Sequence, residues 1–170
     1  MENTTSKTTV DRTLGWVLVV LMGVSVLNVL WQVFTRFVLS DPSSFTDELA
    51  RFLLIWIGLL GAGYAAGSKM HLAIDLLPSK LEGRSKFYLG VLVESCIFLF
   101  ALAVPVIGGF SLMILTLALG QTSTALHIPI GCVYLALPLS GLLIMYYAIV
   151  EVVRRYAEFT DGYEPSRPTP

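Results

Sequence analysis

Two carboxylates and two arginines are the residues of this chain whose types and spacing could do chemistry. Asp47 and Glu48 precede Arg51 by four and three residues, so on a helix both acids lie within reach of the guanidinium. Arg36 ends the preceding apolar stretch and is expected at the same level of an antiparallel hairpin. Such a charge layer sums to zero, and it can orient a partner protein or a passing substrate more than it adds affinity.

A structural interpretation of the same cluster stays open. The charges can form a solvated helix cap, with Ser43, Ser44 or Thr46 as the capping residue and Glu48 completing a partial capping box. Exposed ion pairs are common and individually weak, so the pattern of charges does not decide between a cap and a docking surface.

The elements that must position these residues are membrane-spanning helices. Hydrophobic residues make up 55% and charged residues 14% of the 170-residue chain, with a mean hydropathy of +0.76, whereas soluble domains carry about 25% charged residues. Charge-free stretches cover 14–35, 52–68 and 95–150. A span needs about 20 residues, so the third stretch must hold two spans.

The sequence therefore predicts an all-α integral membrane protein with four transmembrane helices. The predicted parts are a membrane domain over 14–156, spans at about 14–38, 47–68, 87–119 and 128–151, a short cytoplasmic interfacial helix between spans 2 and 3, and tails at 1–13 and 157–170. Nine Lys and Arg residues lie on the side of both termini and the 69–86 loop, against Arg36 and Arg51 on the other side. The positive-inside rule then places both termini in the cytoplasm.

The spacing of the polar residues does not indicate a catalytic centre. His71 and His127 are predicted on opposite sides of the membrane, so they cannot ligate one haem, and this opposes a membrane anchor for a redox enzyme. His71 and Asp75 are four residues apart and can bond each other. We expect no catalytic centre, no cofactor, no metal site and no nucleic-acid partner.

The middle of each predicted span is almost free of ionisable residues. Glu94, about two turns into the third span, is the exception, and it can either snorkel to the cytoplasmic boundary or relay a proton. A self-sufficient, homodimeric four-span exporter is the alternative function that such a proton relay would serve. The bare midplane otherwise favours a chain that holds no substrate site of its own.

Small residues predict close helix packing at two places. The second span carries a stripe of Gly58, Gly61 and three alanines, which lets a neighbouring helix approach. In the third and fourth spans, prolines with nearby glycines predict kinks or close-packing points; the residues are Pro105, Gly108, Gly109, Pro138 and Gly141.

The stretch "TRFVLSDPSSFTDELARFLLIWIGLLGAGYAAGSKMHLAID" resembles the signature of the small membrane subunit of tripartite ATP-independent periplasmic (TRAP) transporters. The positions that carry the resemblance are Arg36, Phe37, Phe45, Asp47, Glu48, Arg51, Trp56, Gly61, His71 and Asp75. The likeness extends over nearly the whole chain, including the fourth span "IPIGCVYLALPLSG". Phe45 stands where the family more usually has Trp, and Asp47 where it has Glu.

The resemblance implies a scaffold for a larger protein. The chain would pair with a large polytopic permease subunit as a heterodimer in the bacterial inner membrane, and a periplasmic binding protein would deliver an organic acid of the sialic acid or C4-dicarboxylate class. The large subunit would bind the sodium and the substrate. The residues expected to contact these partners are Arg36, Asp47, Glu48, Arg51, Trp56, Gly61, His71 and Asp75.

Overall fold

Helices form nearly all of the chain that the structure, a computed structural model, describes, which is residues 2–39, 43–67 and 84–161. Their bounds are α1 Glu2–Phe37, α2 Ser44–Gly67, α3 Arg84–Ala101, a π-helical segment Leu102–Gly108, α4 Gly109–Ala118, α5 Ile130–Tyr134 and α6 Ala136–Asp161. An isolated antiparallel bridge joins Thr122 to Pro129 in the loop between α4 and α5, called here the outer loop (residues 119–129).

Four stretches of the described residues are long and apolar enough to cross a membrane; they are Thr9–Phe37, Ser44–Gly67, Tyr88–Ala118 and Ile130–Ala157. In lipid each span must satisfy its backbone groups internally, and a helix does so. The predicted all-α fold with four spans is confirmed, and the chain is a multi-pass membrane protein. Its division into a membrane domain and two tails stays a prediction, and the predicted interfacial helix lies outside the described residues.

The helices extend further than the predicted spans at both ends of the chain. α1 begins at Glu2, within the stretch predicted as an N-terminal tail, and α6 continues to Asp161. The apolar part of α1 nevertheless begins at Thr9. A helix that starts before its apolar stretch can carry polar residues beyond the membrane boundary. The apolar residues set the length of the span, whereas the backbone hydrogen bonds set the length of the helix.

The third span is interrupted at Pro105. This residue has no backbone N–H to donate, and the helix changes to π-type bonding over Leu102–Gly108 before α4 continues. A Cβ added at Gly141 of α6 would lie 3.1 Å from the Pro105 ring, and a Cβ added at Gly109 would lie 3.1 Å from Pro138. Each proline therefore occupies the space left by a glycine of the other span, as the predicted close-packing points require.

The spans pack as a row and not as a closed bundle. α1 packs on α2, α2 on α6, and α6 on α3 and the π-helical segment. At the end of the spans opposite the outer loop, the Tyr147 hydroxyl of α6 donates a 2.5 Å hydrogen bond to Asp11 of α1. Few large apolar side chains are enclosed, and most face outward, as expected where the solvent is lipid.

Candidate functional site at the outer boundary

The start of α2 is attached to α1 by polar side chains. Asn28, which is buried, donates from its Nδ2 to the backbone carbonyl of Thr46 at 2.8 Å. One turn further along α1, Gln32 Nε2 donates to Asp47 Oδ1 at 3.4 Å. A buried amide in an apolar span is costly unless it is bonded, so these contacts fix which faces of α1 and α2 meet.

Asp47 and Arg51 form the predicted i,i+4 ion pair. Arg51 Nη2 lies 2.6 Å from Asp47 Oδ2, and the two side chains are 74% and 50% exposed respectively. An ion pair this exposed adds little to stability. It remains available to another molecule, and Arg36 at the end of α1 is exposed at the same outer boundary.

Glu48 points to a different partner, the outer loop. Its Oε2 accepts the backbone N–H groups of Ala125 at 2.8 Å and Leu126 at 3.1 Å, and its Oε1 accepts that of Thr124 at 3.3 Å. The N–H of Leu126 is shared with the Ser123 hydroxyl at 3.2 Å. Successive N–H groups that converge in this way form a nest for an anion, and here the anion is the chain's own carboxylate.

The outer loop is closed by its own backbone. α4 ends in a Schellman motif, in which Gly120 N–H donates to Leu117 and Gln121 N–H donates to Thr116, with Gly120 at a φ of 61°. Ser123 N–H then donates to the Ile128 carbonyl at 2.9 Å, and Ile130 N–H to that of Gln121 at 3.0 Å.

His127 completes the turn that presents the nest. Its backbone N–H donates to the Ser123 carbonyl at 3.1 Å, and its φ of 55° lies in the left-handed region, which non-glycine residues seldom adopt. The loop is thus held from within by backbone bonds and from outside by Glu48.

The outer charge cluster, defined as Arg36, Asp47, Glu48 and Arg51, is therefore divided in two. The capping-box interpretation of Glu48 is wrong, because both carboxylate oxygens bond to the outer loop. Thr46 bonds back to the Ser43 carbonyl at 2.8 Å. With Glu48 engaged, the three outward-facing members carry +1, −1 and +1, a net charge of +1.

The other predicted contact residues do not gather at this boundary. Trp56 lines an apolar groove of about 310 Å³ between α1, α2 and α5, together with Leu21 and Cys132. Gly61 lies deeper in α2, and His71 and Asp75 lie outside the described residues. Within the described residues no group of three or more His, Cys, Asp or Glu side chains could hold a metal ion.

The backbone N–H groups of the outer loop that bind Glu48 belong to this site but were not predicted from the sequence. Backbone N–H groups carry no sequence signature, and Glu48 lies 76 to 78 residues before them. The available signal was indirect. Gly120, the hydroxyl-rich "QTSTA" and Pro129 mark a tight connection between two spans, which must lie at the level of the α2 N-terminus.

The glycines of α2 fall into two groups with different surroundings. A Cβ added at Gly63 would lie 3.2 Å from Leu143, and one added at Gly67 would lie 2.5 Å from the Tyr147 ring, so both glycines pack against α6. A Cβ added at Gly58 or Gly61 would meet no atom within 4 Å. At about 100° per residue these two glycines lie on another face of α2.

Comparison with known proteins identifies related sequences. The family profile described as "Tripartite ATP-independent periplasmic transporters, DctQ component" matches residues 25–158. The sialic acid TRAP transporter small permease protein SiaQ of Vibrio cholerae is 26% identical over 121 residues, which cover 68% of this chain and 70% of that protein.

Two further relatives differ in the share of their own length that matches this chain. A putative TRAP transporter small permease protein of Haemophilus influenzae is 24% identical over 148 residues, covering 85% of this chain and 88% of that protein. The isethionate TRAP transporter permease protein DctMQ of Oleidesulfovibrio alaskensis is 33% identical over 95 residues, which are 56% of this chain but only 15% of that protein.

Proposed function

The chain belongs to the family of DctQ components of tripartite ATP-independent periplasmic transporters, and from this premise we propose that it is the fixed scaffold for a large permease subunit. The pair would lie in the bacterial inner membrane, with both termini of this chain in the cytoplasm. It would import an organic acid with a sodium gradient, and a periplasmic binding protein would deliver the substrate. Substrate and sodium would bind to the large subunit.

Two features of the relatives support this proposal. The DctMQ protein contains the matched segment as 15% of its length, so this segment occurs there within a much longer permease chain. The names of the relatives contain sialic acid and isethionate, a carboxylic acid and a sulfonic acid. The substrate class proposed for this chain is therefore an organic anion, with sialic acid or a C4-dicarboxylate as the first candidates.

The open face of α2 is the observation that carries the scaffold role. Prolines of this chain occupy the space beside Gly109 and Gly141, and α6 occupies the space beside Gly63 and Gly67. By contrast, the space beside Gly58 and Gly61 is free. Leu54, four residues before Gly58, is 70% exposed. Glycine within a helix costs up to about 1 kcal/mol relative to alanine, and close approach of a second helix would offset that cost.

Co-purification tests this face directly. Tagged wild-type chain, expressed from its operon, is expected to co-purify with a larger polytopic protein at one-to-one stoichiometry. Gly58→Leu and Gly61→Leu are expected to lower the yield of that protein, because a bulky side chain holds the helices apart. Gly23→Leu is the matched control, since Gly23 on α1 also has no atom within 4 Å of an added Cβ.

The outcome of that experiment decides between two arrangements. If all three variants recover as much of the large protein as the wild-type chain does, α2 does not form the interface. Loss of the large protein with Gly23→Leu alone would place the interface on α1. A chain that purifies as a homodimer without any larger protein would contradict the scaffold role and favour the exporter.

Reconstitution tests the transport activity. The purified pair in proteoliposomes is expected to take up an organic acid only with an inward sodium gradient and with the binding protein present. Sialic acid, succinate and isethionate are the substrates to compare. Uptake by this chain without the large protein would overturn the proposal that the large subunit holds the substrate site.

A further inference from the structure

The outer loop lies between the third and fourth candidate spans, of which one ends at Ala118 and the next begins at Ile130. Its sequence, LGQTSTALHIP, contains no Asp, Glu, Lys or Arg. Four polar side chains of the loop are exposed, namely those of Gln121, Thr122, Thr124 and His127. The loop therefore presents hydrogen-bonding groups outside the spans, next to the outer charge cluster at the start of α2.

Two residues of this loop have a left-handed backbone, and they differ in side chain. Gly120 has a φ of 61° and His127 a φ of 55°. Glycine adopts this conformation without a steric cost, whereas a residue with a side chain is strained in it. Strained positions of this kind cluster at sites that bind other molecules. A histidine at 127, where a glycine would fit without strain, therefore indicates a binding role for the imidazole.

The imidazole of His127 is accessible to a second molecule. The residue is exposed, and its ring forms no hydrogen bond or ion pair with any other residue that the structure describes. Its backbone N–H, in contrast, donates to the Ser123 carbonyl at 3.1 Å. The turn therefore fixes the backbone of His127 and leaves both ring nitrogens for a partner.

Hydrogen bonds hold the loop in one conformation from two sides. Within the loop, Ser123 N–H donates to the Ile128 carbonyl at 2.9 Å. From α2, Glu48 accepts the N–H groups of Ala125 and Leu126 at 2.8 and 3.1 Å. A surface that is already ordered loses little conformational entropy when a partner binds, and this favours affinity. The bonds from Glu48 thus prepare the loop for binding.

We propose that the outer loop is a docking surface for the soluble binding protein of the proposed transporter, and that the imidazole of His127 contacts this partner directly. Glu48 is then a positioning residue, because it acts on the partner only through the loop. The inference rests on the proposed function, since it requires a soluble partner on the side of the membrane predicted as periplasmic.

The charges beside the loop indicate the surface of the partner. The three outward-facing members of the outer charge cluster carry a net charge of +1. An imidazole N–H of His127 and the hydroxyl of Thr124 can both donate to carboxylates. The complementary surface is therefore an acidic patch of the binding protein. Complementary charge of this kind fixes the orientation of a partner and speeds its encounter.

Uptake by the assembled pair in proteoliposomes, measured against the concentration of substrate-loaded binding protein, tests the proposal. His127→Ala is expected to raise the concentration that gives half-maximal uptake by about three- to tenfold, the effect of one lost hydrogen bond. The maximal rate should stay unchanged, because a saturating concentration of the binding protein compensates for weaker docking. Thr13→Ala is the control, since Thr13 is exposed on α1 at the end of the spans away from the outer loop.

Three further variants separate the imidazole from the backbone of the loop. His127→Gly relieves the strain but removes the ring, so it should be as defective as His127→Ala. His127→Asn keeps an N–H donor on a residue that tolerates the left-handed region, and it should restore part of the loss. Glu48→Gln should also raise the half-maximal concentration. Combined with His127→Ala it should give less than the product of the two effects, because both substitutions act on one loop.

The failure of this inference can be distinguished from the failure of the proposed function. An unchanged half-maximal concentration in His127→Ala, with uptake that still requires the binding protein, would overturn the docking role of the loop alone. A lower maximal rate at an unchanged half-maximal concentration would also overturn it, and would indicate that the loop contacts the large subunit. A wild-type pair that takes up no substrate, or takes it up without the binding protein, would overturn the proposed function and this inference with it.

Discussion

The carboxylate of Glu48 accepts a 2.8 Å hydrogen bond from the backbone N–H of Ala125, which lies 77 residues further along the chain. This contact joins the hairpin of α1 and α2 to the loop between the third and fourth spans. The donor belongs to the main chain, so the contact depends on the conformation of the outer loop and not on the identity of its side chains. Glu48 is therefore a positioning residue for that loop.

Substitution of Glu48 by Gln is expected to loosen the outer loop. An amide offers one acceptor oxygen, and its NH₂ group would face the N–H donors of the nest. The backbone amides of Thr124, Ala125 and Leu126 should then exchange hydrogen for deuterium several times faster. Asp47→Asn is the adjacent control, because Asp47 contacts Gln32 and Arg51. Identical exchange in wild type and Glu48→Gln would contradict the positioning role.

Substitution of Arg51 by Ala tests docking at the outer charge cluster. If the soluble binding protein contacts the outward-facing positive charge of this cluster, the substitution should lower uptake by the assembled pair by up to about fivefold at low ionic strength. The defect should shrink in higher salt, which screens exposed charges. Arg154→Ala, at the end of α6 away from the outer loop, is the control. Normal uptake with Arg51→Ala at low salt would exclude a docking role for this residue.

The four spans could be predicted because lipid imposes a simple rule on sequence. Charge-free stretches of sufficient length, with Gly120 and Pro129 in the longest one, indicate the helices and the outer loop without any knowledge of packing. The spacing of Asp47 and Arg51 similarly predicts their ion pair, because both residues lie on one helix.

The contacts between spans could not be predicted in the same way. Periodicity places Gly58 and Gly61 on a different face of α2 from Gly63, but it does not show which face meets α6. Which face of α2 meets α6 depends on the order in which the spans pack in the row. The bonds from Glu48 to Ala125 and its neighbours are hidden for a related reason, because they link distant segments through backbone donors.

Gly141→Ala is expected to destabilise the chain. The new Cβ would lie 2.7 Å from Val106 Cγ2 and 3.1 Å from Pro105, and overpacking of this kind costs about 1–3 kcal/mol. The purified protein should therefore unfold at a lower temperature in detergent. Gly61→Ala is the matched control, since its Cβ meets no atom within 4 Å, and it should raise the thermal midpoint of the isolated chain slightly or leave it unchanged. Equal midpoints for Gly141→Ala and wild type would show that the two spans can separate without cost.

Tyr147→Phe separates the hydrogen bond to Asp11 from the packing of the aromatic ring. Tyr147 is 4% exposed, its hydroxyl donates to Asp11, and its ring fills the space beside Gly67. Phenylalanine retains the ring but leaves Asp11 without this donor, so the free energy of unfolding should fall by about 1–3 kcal/mol.

Adding Asp11→Asn to Tyr147→Phe should cost less than the sum of the two single substitutions, because the two side chains share one bond. Thermal unfolding of the four proteins in one detergent measures this coupling. Strict additivity would mean that α1 and α6 are not joined by this bond, and that α1 is held in the row by its contacts with α2 alone.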